Sequence, residues 1–203
     1  MNPRRWIRSG VLRGLVALAL AIAATPTLAR QGAAPGKEQA DDAAAFKQFG
    51  DRVQAYQKLQ RAVESGLPAL KPTDLPEMIT AHQETLARKI REARPHAKAG
   101  DVFTPAACEA FRHASRSALA GPDSAKSRAY RQRGEADTRM RLAVNEVYPD
   151  AEPTTSLSPA LLAAFPPLPV EVAYRVVGRT LVLLDVKSRL IVDIAERVLP
   201  PPS

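Results

Sequence analysis

The sequence predicts an α+β fold in which about four helices pack against a small C-terminal three-stranded antiparallel meander. Two observations lead to this fold. The C-terminal part contains three short runs of β-branched and aliphatic residues separated by turn residues, namely Val170–Val177, Thr180–Val186 and Leu190–Ile194. Upstream of them, apolar residues recur at the three- and four-residue spacing of amphipathic helices. Because so small a meander is not stable alone, the helices are expected to pack on it.

The second run is expected to be the central strand, because it is apolar on both faces. In the first run, Val172, Tyr174 and Val176 alternate with polar or small residues, as in a strand with one buried face. Leu181–Leu184 shows no such alternation, so the helices should cover one face and something further the other. Since the helices can cover the sheet only once, three residues are candidates for a partner face: Val182, Leu184 and Val186. The open edges of the meander are also suited to strand addition.

Residues 1–29 have the features of a cleavable export signal. Arginines precede an apolar run, and small residues suitable for cleavage follow it. These are Arg4, Arg5, Arg8 and Arg13, then Gly14–Ala24, then Thr27-Leu28-Ala29. The run is shorter than the roughly 20 residues needed to span a bilayer. The mature chain is expected to begin at Arg30, to lie in the periplasm or outside the cell, and to have no transmembrane segment. Sec export and twin-arginine export both stay open.

Removal of this signal leaves a mildly basic chain. The net charge falls from +8 to about +4, because the signal contains four arginines and no acidic residue. This value is not typical of a nucleic-acid-binding protein, and the only tryptophan, Trp6, is lost with the signal. The single cysteine, Cys108, has no partner for an internal disulfide, so packing must stabilise the fold. A disulfide between two copies of the chain stays open.

The chain beyond the signal divides into a linker and three regions that together are expected to form one domain over 42–199. Residues 30–41 are a flexible linker, 42–148 are helical, 149–169 are a Pro-rich crossover with one short helix, and 170–199 form the meander. The first helix is expected to run from about Asp42 to Ser65. Its Phe and Tyr residues are interpreted as core and not as a ligand groove.

Capping residues and prolines mark the ends of the other helices. Asp74 and Glu77 have the spacing of a capping box for the second helix, which Pro95 should end. The inner side of that helix is expected to carry Leu75, Ile79, His82, Leu86, Ile90 and Ala93. Thr104-Pro105 is expected to begin a third helix that ends near Ala120. A fourth helix is expected to begin at Asp123 or Ser124 and to end near Tyr148. Ser158-Pro159 is expected to begin one short turn of helix that runs through Phe165.

The C-terminal hairpin resembles one that recurs in a family of small exported bacterial proteins of unknown function. The residues that carry the resemblance are Tyr174–Gly178, Leu181–Asp185 and Ser188–Asp193, preceded by Asn145, Tyr148-Pro149, Pro159–Leu162 and Pro166–Pro169. The resemblance implies strands and turns, not a chemistry. The hairpin is also similar to one in periplasmic nickel and cobalt homeostasis proteins. Those proteins are expected to be richer in histidine than this chain, which has three, so no metal role is carried over.

No residue spacing in the chain points to a catalytic, cofactor or metal site. His82, His96 and His113 lack the i, i+4 spacing that places two ligands on one helix face. Cys108 and His113 do not suit a nucleophile and base, because five residues of helix turn their side chains about 140° apart. An enzyme with a site that no known motif describes is the least favoured interpretation.

The two aspartates of the meander are assigned structural roles. Asp185 is interpreted as a turn-initiating residue, and Asp193 as an edge charge that discourages aggregation. A short-range acid–base pair is not expected, because the strand register keeps the two carboxyl groups apart.

Basic residues of the second and fourth predicted helices are candidates for anion contacts: Arg88, Arg91, Lys126 and Arg131. Glu84 and Glu92 interrupt the first group, so a solvated face is favoured over an anion-binding stripe. The function expected from the sequence is a non-enzymatic exported protein, without a cofactor, that acts by contact with a protein partner or with itself. The alternative is an envelope protein that binds lipid headgroups or an acidic polymer, and specific nucleic-acid binding is not expected.

Overall fold

Four helices and a three-stranded sheet form the described part of the chain, which in this computed structural model comprises residues 36–72, 74–120, 141–149 and 157–201. The helices are α1 (Lys37–Ser65), α2 (Pro76–Ala93), α3 (Pro105–Leu119) and α4 (Pro159–Ala164), and the strands are β1 (Val172–Val177), β2 (Thr180–Asp185) and β3 (Ile191–Ala195). The predicted α+β class with a C-terminal meander is confirmed. The export signal and residues 121–140, with Lys126 and Arg131, lie outside the described residues.

The sheet is antiparallel with strand order β1-β2-β3, so β2 is the central strand as predicted. The first hairpin pairs Val177 with Thr180 across a two-residue turn. Gly178 occupies the first turn position at φ 58°, where glycine is favoured in a type II′ turn. The β2–β3 register shifts between Leu183 and Leu184, which is the only irregularity in the pairing of these described strands.

Two hydrophobic clusters cover the two faces of β2. Leu181 and Leu183 belong to the larger cluster, which contains the buried residues of the helices. Val182 and Leu184 belong to a smaller cluster around the buried Tyr148. The second face is therefore covered by residues of the same chain, which explains why β2 needs apolar side chains on both sides.

Residues 141–149 run beside β3 instead of ending the predicted fourth helix. Asn145 has φ 67°, and its N–H donates to the Ile191 carbonyl at 2.9 Å. The Tyr148 N–H donates to the Arg189 carbonyl at 2.8 Å, and Val147 forms a bridge with Leu190. The prediction of helix through Tyr148 is wrong, because this segment makes its backbone bonds with the sheet.

An aromatic cluster joins the helices to the sheet. The Phe111 ring of α3 lies 5.0 Å from Phe49 of α1, 4.7 Å from Phe165 and 5.9 Å from Tyr174 of β1, measured between ring centroids. Edge-to-face pairs of this kind add to the free energy gained from burial. Phe49, Val53 and Tyr56 are buried, so the interpretation of the first helix's stripe as core is confirmed.

The helix starts were predicted correctly where a hydroxyl residue precedes proline. The Thr104 hydroxyl accepts from the Ala107 N–H, and the Ser158 hydroxyl accepts from the Leu161 N–H. The capping box at Asp74 is wrong, because Pro76 takes the first helical position and makes Leu75 the N-cap residue. No helix in the described ranges is long and apolar enough to cross a membrane.

Candidate functional site

The predicted partner face is largely buried inside the chain. Val182 is fully buried and Leu184 is nearly so, both in the cluster around Tyr148. Val186, which follows β2, is 38% exposed. The exposed apolar surface therefore lies at the end of β2 and not on the second face of the sheet.

Val186 opens onto an apolar groove between the C-terminal end of α1 and the first half of α2. The cavity has a volume of about 790 Å³, and a second cavity of about 600 Å³ shares the loop that joins the two helices. We call the two together the apolar groove. Its exposed large apolar side chains are Leu70, Leu75, Met78, Ile79 and Val186. Surface of this kind, rimmed by polar groups, is typical of contact sites.

The exposure of this groove corrects the predicted inner side of the second helix. Leu86 and Ile90 are fully buried, as expected, but Leu75 is 54% and Ile79 is 37% exposed, and Ala93 is exposed as well. The apolar stripe is continuous along α2, whereas the hydrophobic core takes up only its second half. The first two turns thus present apolar side chains to solvent.

Hydrogen-bonded ion pairs form the polar rim of the groove. Lys187 Nζ lies 2.7 and 2.8 Å from the two carboxylate oxygens of Glu64, and this bond lowers the Glu64 pKa. Arg61 donates to Glu171 from Nε and Nη2 at 2.9 and 2.7 Å, and Gln57 donates to it at 2.7 Å. Burial alone would raise the Glu171 pKa, but these bonds outweigh it and lower the pKa. These rim charges are paired with one another, which favours an apolar partner for the groove over a charged one.

Asp185 acts as the turn residue that the sequence predicts, and it also contacts the helical layer. Its Oδ1 accepts from the N–H groups of Lys187 and Ser188, both at 2.9 Å. Its Oδ2 accepts from the Tyr56 hydroxyl at 2.7 Å. Burial, together with the nearby Asp185 charge, raises the Tyr56 pKa, so the hydroxyl stays protonated and donates.

Asp193 is fully buried, and its prediction as an edge charge is wrong. Its Oδ2 accepts from the N–H groups of Val102 and Phe103 at 2.6 and 2.7 Å, and its Oδ1 accepts from Gly100 and Ile194 at 3.0 and 2.8 Å. The loop before α3 thus lies against β3. Three of the four partners are backbone groups at least 90 positions away in the sequence, and the positive φ of Gly100 marks this turn.

The cysteine and the histidines do not form a reactive pair. The Cys108 thiol donates to the Phe103 carbonyl at 3.4 Å, and burial raises its pKa. The His113 Nδ1 lies 3.1 Å from each Asp42 oxygen. His82 lines the apolar groove and His96 is exposed. Among the described residues, no group of three or more His, Cys, Asp and Glu side chains is arranged to hold a metal ion.

Of the four predicted anion contacts, only two fall within the described chain. Arg88 Nη1 lies 3.2 Å from Glu92 Oε1, and Lys89 Nζ lies 2.8 Å from Glu92 Oε2. Arg91 is exposed in the last turn of α2. The interruption of the basic stripe by Glu92 is therefore visible as direct ion pairing.

The fold and its surfaces define a small α+β protein with an exposed apolar groove at one end of the helical layer. Comparison with profiles of protein families, with curated proteins and with solved structures found no match. The functional interpretation therefore rests on the contacts of the chain's own residues.

Proposed function

We propose that the chain is an exported protein, periplasmic or extracellular, that acts by contact with another protein surface and not by catalysis. The observation that supports this is the apolar groove, where Leu70, Met78 and Ile79 are all more than a third exposed, Met78 at 51%. Export rests on the signal-like residues 1–29, and kinship with small exported proteins rests on the hairpin residues 174–193. Burial of apolar surface contributes about 25 cal/mol per Å², which makes this groove favourable for association.

The partner that we propose for this groove is a second copy of the chain. Opposite charges lie at the two ends of helix α2. The acidic residues in or just before its first half are Asp74, Glu77 and Glu84. Its second half and the residue that follows are mainly basic, with Arg88, Lys89, Arg91 and Arg94 against the single acidic residue Glu92. Two α2 helices that pack antiparallel place unlike charges and unlike helix ends next to each other. A two-fold axis through such a contact makes the groove complementary to itself.

The geometry supports the alternative, an envelope anion binder, less well. Its described candidates are Arg88, which is paired with Glu92, and Arg91. An anion binder loses affinity steeply between low and physiological salt, whereas association through apolar side chains persists.

Sedimentation equilibrium of the full protein tests the proposal. The wild type should form a dimer as its concentration rises, and Met78→Asp should remain monomeric, because the substitution places a charge in the contact. Val170→Asp is the matched control, since Val170 is 84% exposed and does not line the groove, and it should dimerise like the wild type. A wild type that stays monomeric up to millimolar concentration, or a Met78→Asp variant that dimerises normally, contradicts the proposal.

A further inference from the structure

We propose that the outer edge of β1 binds an extended acidic segment of a partner protein by strand addition. This edge adjoins a cavity that shares no lining residue with the apolar groove, so the site goes beyond the proposed self-association. We call this cavity the edge groove. Three observations support the site: the backbone of β1, the apolar lining of the edge groove and the position of Arg175.

The backbone of β1 has one strand neighbour in the described chain, β2. The Val186 N–H donates to the Glu171 carbonyl at 2.9 Å, so every second residue from 171 onward bonds to β2. The residues between them, Val172, Tyr174 and Val176, direct their N–H and C=O groups to the outer edge. Such a row of backbone groups is a template for another strand.

The chain uses part of this edge itself. The Val172 N–H donates to the Pro169 carbonyl at 3.2 Å, and the Arg175 Nη1 donates to the Tyr174 carbonyl at 2.9 Å. No described residue bonds to the N–H of Tyr174 or to either backbone group of Val176 on this side. An added strand therefore finds three backbone groups to pair with, the Tyr174 N–H and both groups of Val176, on either side of the Tyr174 carbonyl that Arg175 occupies.

The edge groove has a volume of about 640 Å³ and a predominantly apolar lining. Leu162, 58% exposed, contributes from α4, and Phe165 and Leu168 contribute from the segment that follows. In an extended segment, side chains point to one side at every second residue. Alternate apolar side chains of an added strand would lie against Leu162 and Leu168 while its backbone pairs with β1.

Arg175 determines the charge of the occupant. Among the described residues that line the edge groove it alone is charged, and its Nε is buried without a hydrogen-bond partner. A carboxylate on the added strand would pair with this guanidinium. A second copy of β1 fits poorly as the occupant. When Tyr174 of each copy pairs with Val176 of the other, the two Arg175 side chains lie directly opposite each other. Like charges in that position are destabilising.

Peptide binding tests the site without altering the protein. The probes are labelled ten-residue peptides of alternating valine and threonine with one central glutamate, the same peptide with lysine at that position, and the glutamate peptide with alternate backbone nitrogens methylated. Fluorescence anisotropy with the full protein should show binding of the glutamate peptide, binding about tenfold weaker for the lysine peptide, and no binding of the methylated one. Arg175→Glu should reverse the preference between glutamate and lysine.

Two variants separate this site from the apolar groove and from misfolding. Leu162→Asp should abolish peptide binding and leave dimerisation intact, because Leu162 is exposed and lines only the edge groove. Met78→Asp should abolish dimerisation and leave peptide binding intact. The inference is overturned if the glutamate and lysine peptides bind equally, if no peptide binds, or if Leu162→Asp binds like the wild type.

Discussion

The carboxylate of Asp193 accepts the backbone N–H of Phe103 at 2.7 Å, although the two residues are 90 positions apart in the sequence. This bond and those from the N–H groups of Gly100 and Val102 hold the loop before α3 against β3. The carboxylate is fully buried, and its hydrogen-bond donors in the described part of the chain are all backbone N–H groups.

Asp193→Asn should lower the free energy of unfolding by about 3 kcal/mol, because the amide has one acceptor oxygen and directs its NH₂ group at backbone donors. Urea denaturation measures the change. Asp51→Asn is the matched control, since Asp51 is exposed and its pair with Lys47 contributes about 0.5 kcal/mol. Equal midpoints for the two variants would show that the buried carboxylate is not needed for stability.

Tyr56→Phe should lower the free energy of unfolding more than Tyr174→Phe does, although each substitution removes one buried hydroxyl. The Tyr56 hydroxyl donates to the Asp185 carboxylate, whereas the Tyr174 hydroxyl donates to the neutral Pro166 carbonyl at 3.0 Å. Loss of a bond to a charged acceptor costs about 2 kcal/mol, and loss of a neutral one about 1 kcal/mol. Chemical denaturation of both variants measures the order, and a reversed order would contradict the assigned roles.

The free energy of unfolding should fall at acid pH, in part because Glu171 becomes protonated. Its folded pKa lies below the ordinary value of 4.5, so the unfolded chain binds more protons in this range. The contribution of Glu171 is fully present above pH 4.5 and is lost as the pH falls through the folded pKa. Glu171→Gln should therefore show a flatter decline of unfolding free energy below that pH than the wild type. Glu84→Gln, at an exposed position of α2, should keep the wild-type slope.

Cys108 should react slowly in the folded protein. Burial raises its pKa, and the thiol donates to the Phe103 carbonyl, so little thiolate is present at neutral pH. Reaction with an aromatic disulfide reagent should be about tenfold slower in buffer than in urea, where the residue is exposed. Rapid reaction in buffer, or a disulfide-linked dimer on a non-reducing gel, would mean that the thiol is more accessible than its contacts indicate.

The strands and most helix ends could be predicted because their signals are local. The uninterrupted apolar residues of β2 correctly predicted that it is the central strand. The hydroxyl–proline pairs at Thr104 and Ser158 correctly predicted the starts of two helices. The capping box at Asp74 failed for a local reason too, since Pro76 moves the helix start by one residue.

The candidate surfaces could not be predicted in the same way. Whether Val182 is buried depends on where Tyr148 lies, and whether Ile79 is exposed depends on how far the core extends along α2. Asp193 looked like an edge charge because its four donors are backbone groups, which leave no trace in the amino-acid pattern. Val186 is the one partner-face candidate that lines an exposed groove.

Antiparallel contact through α2 is the central claim, and distances between spin labels test it most directly. In a Cys108→Ala background, labels are attached through Ala81→Cys, near the middle of the proposed contact, and in a second sample through Arg91→Cys. The two Ala81→Cys labels of a dimer should be close, since packed helices lie about 8–10 Å apart. The Arg91→Cys labels should be about 20 Å farther apart or more, because each residue adds about 1.5 Å along each helix. Short distances from both positions would indicate parallel packing, and the absence of any distance would show that the apolar groove does not bind a second copy.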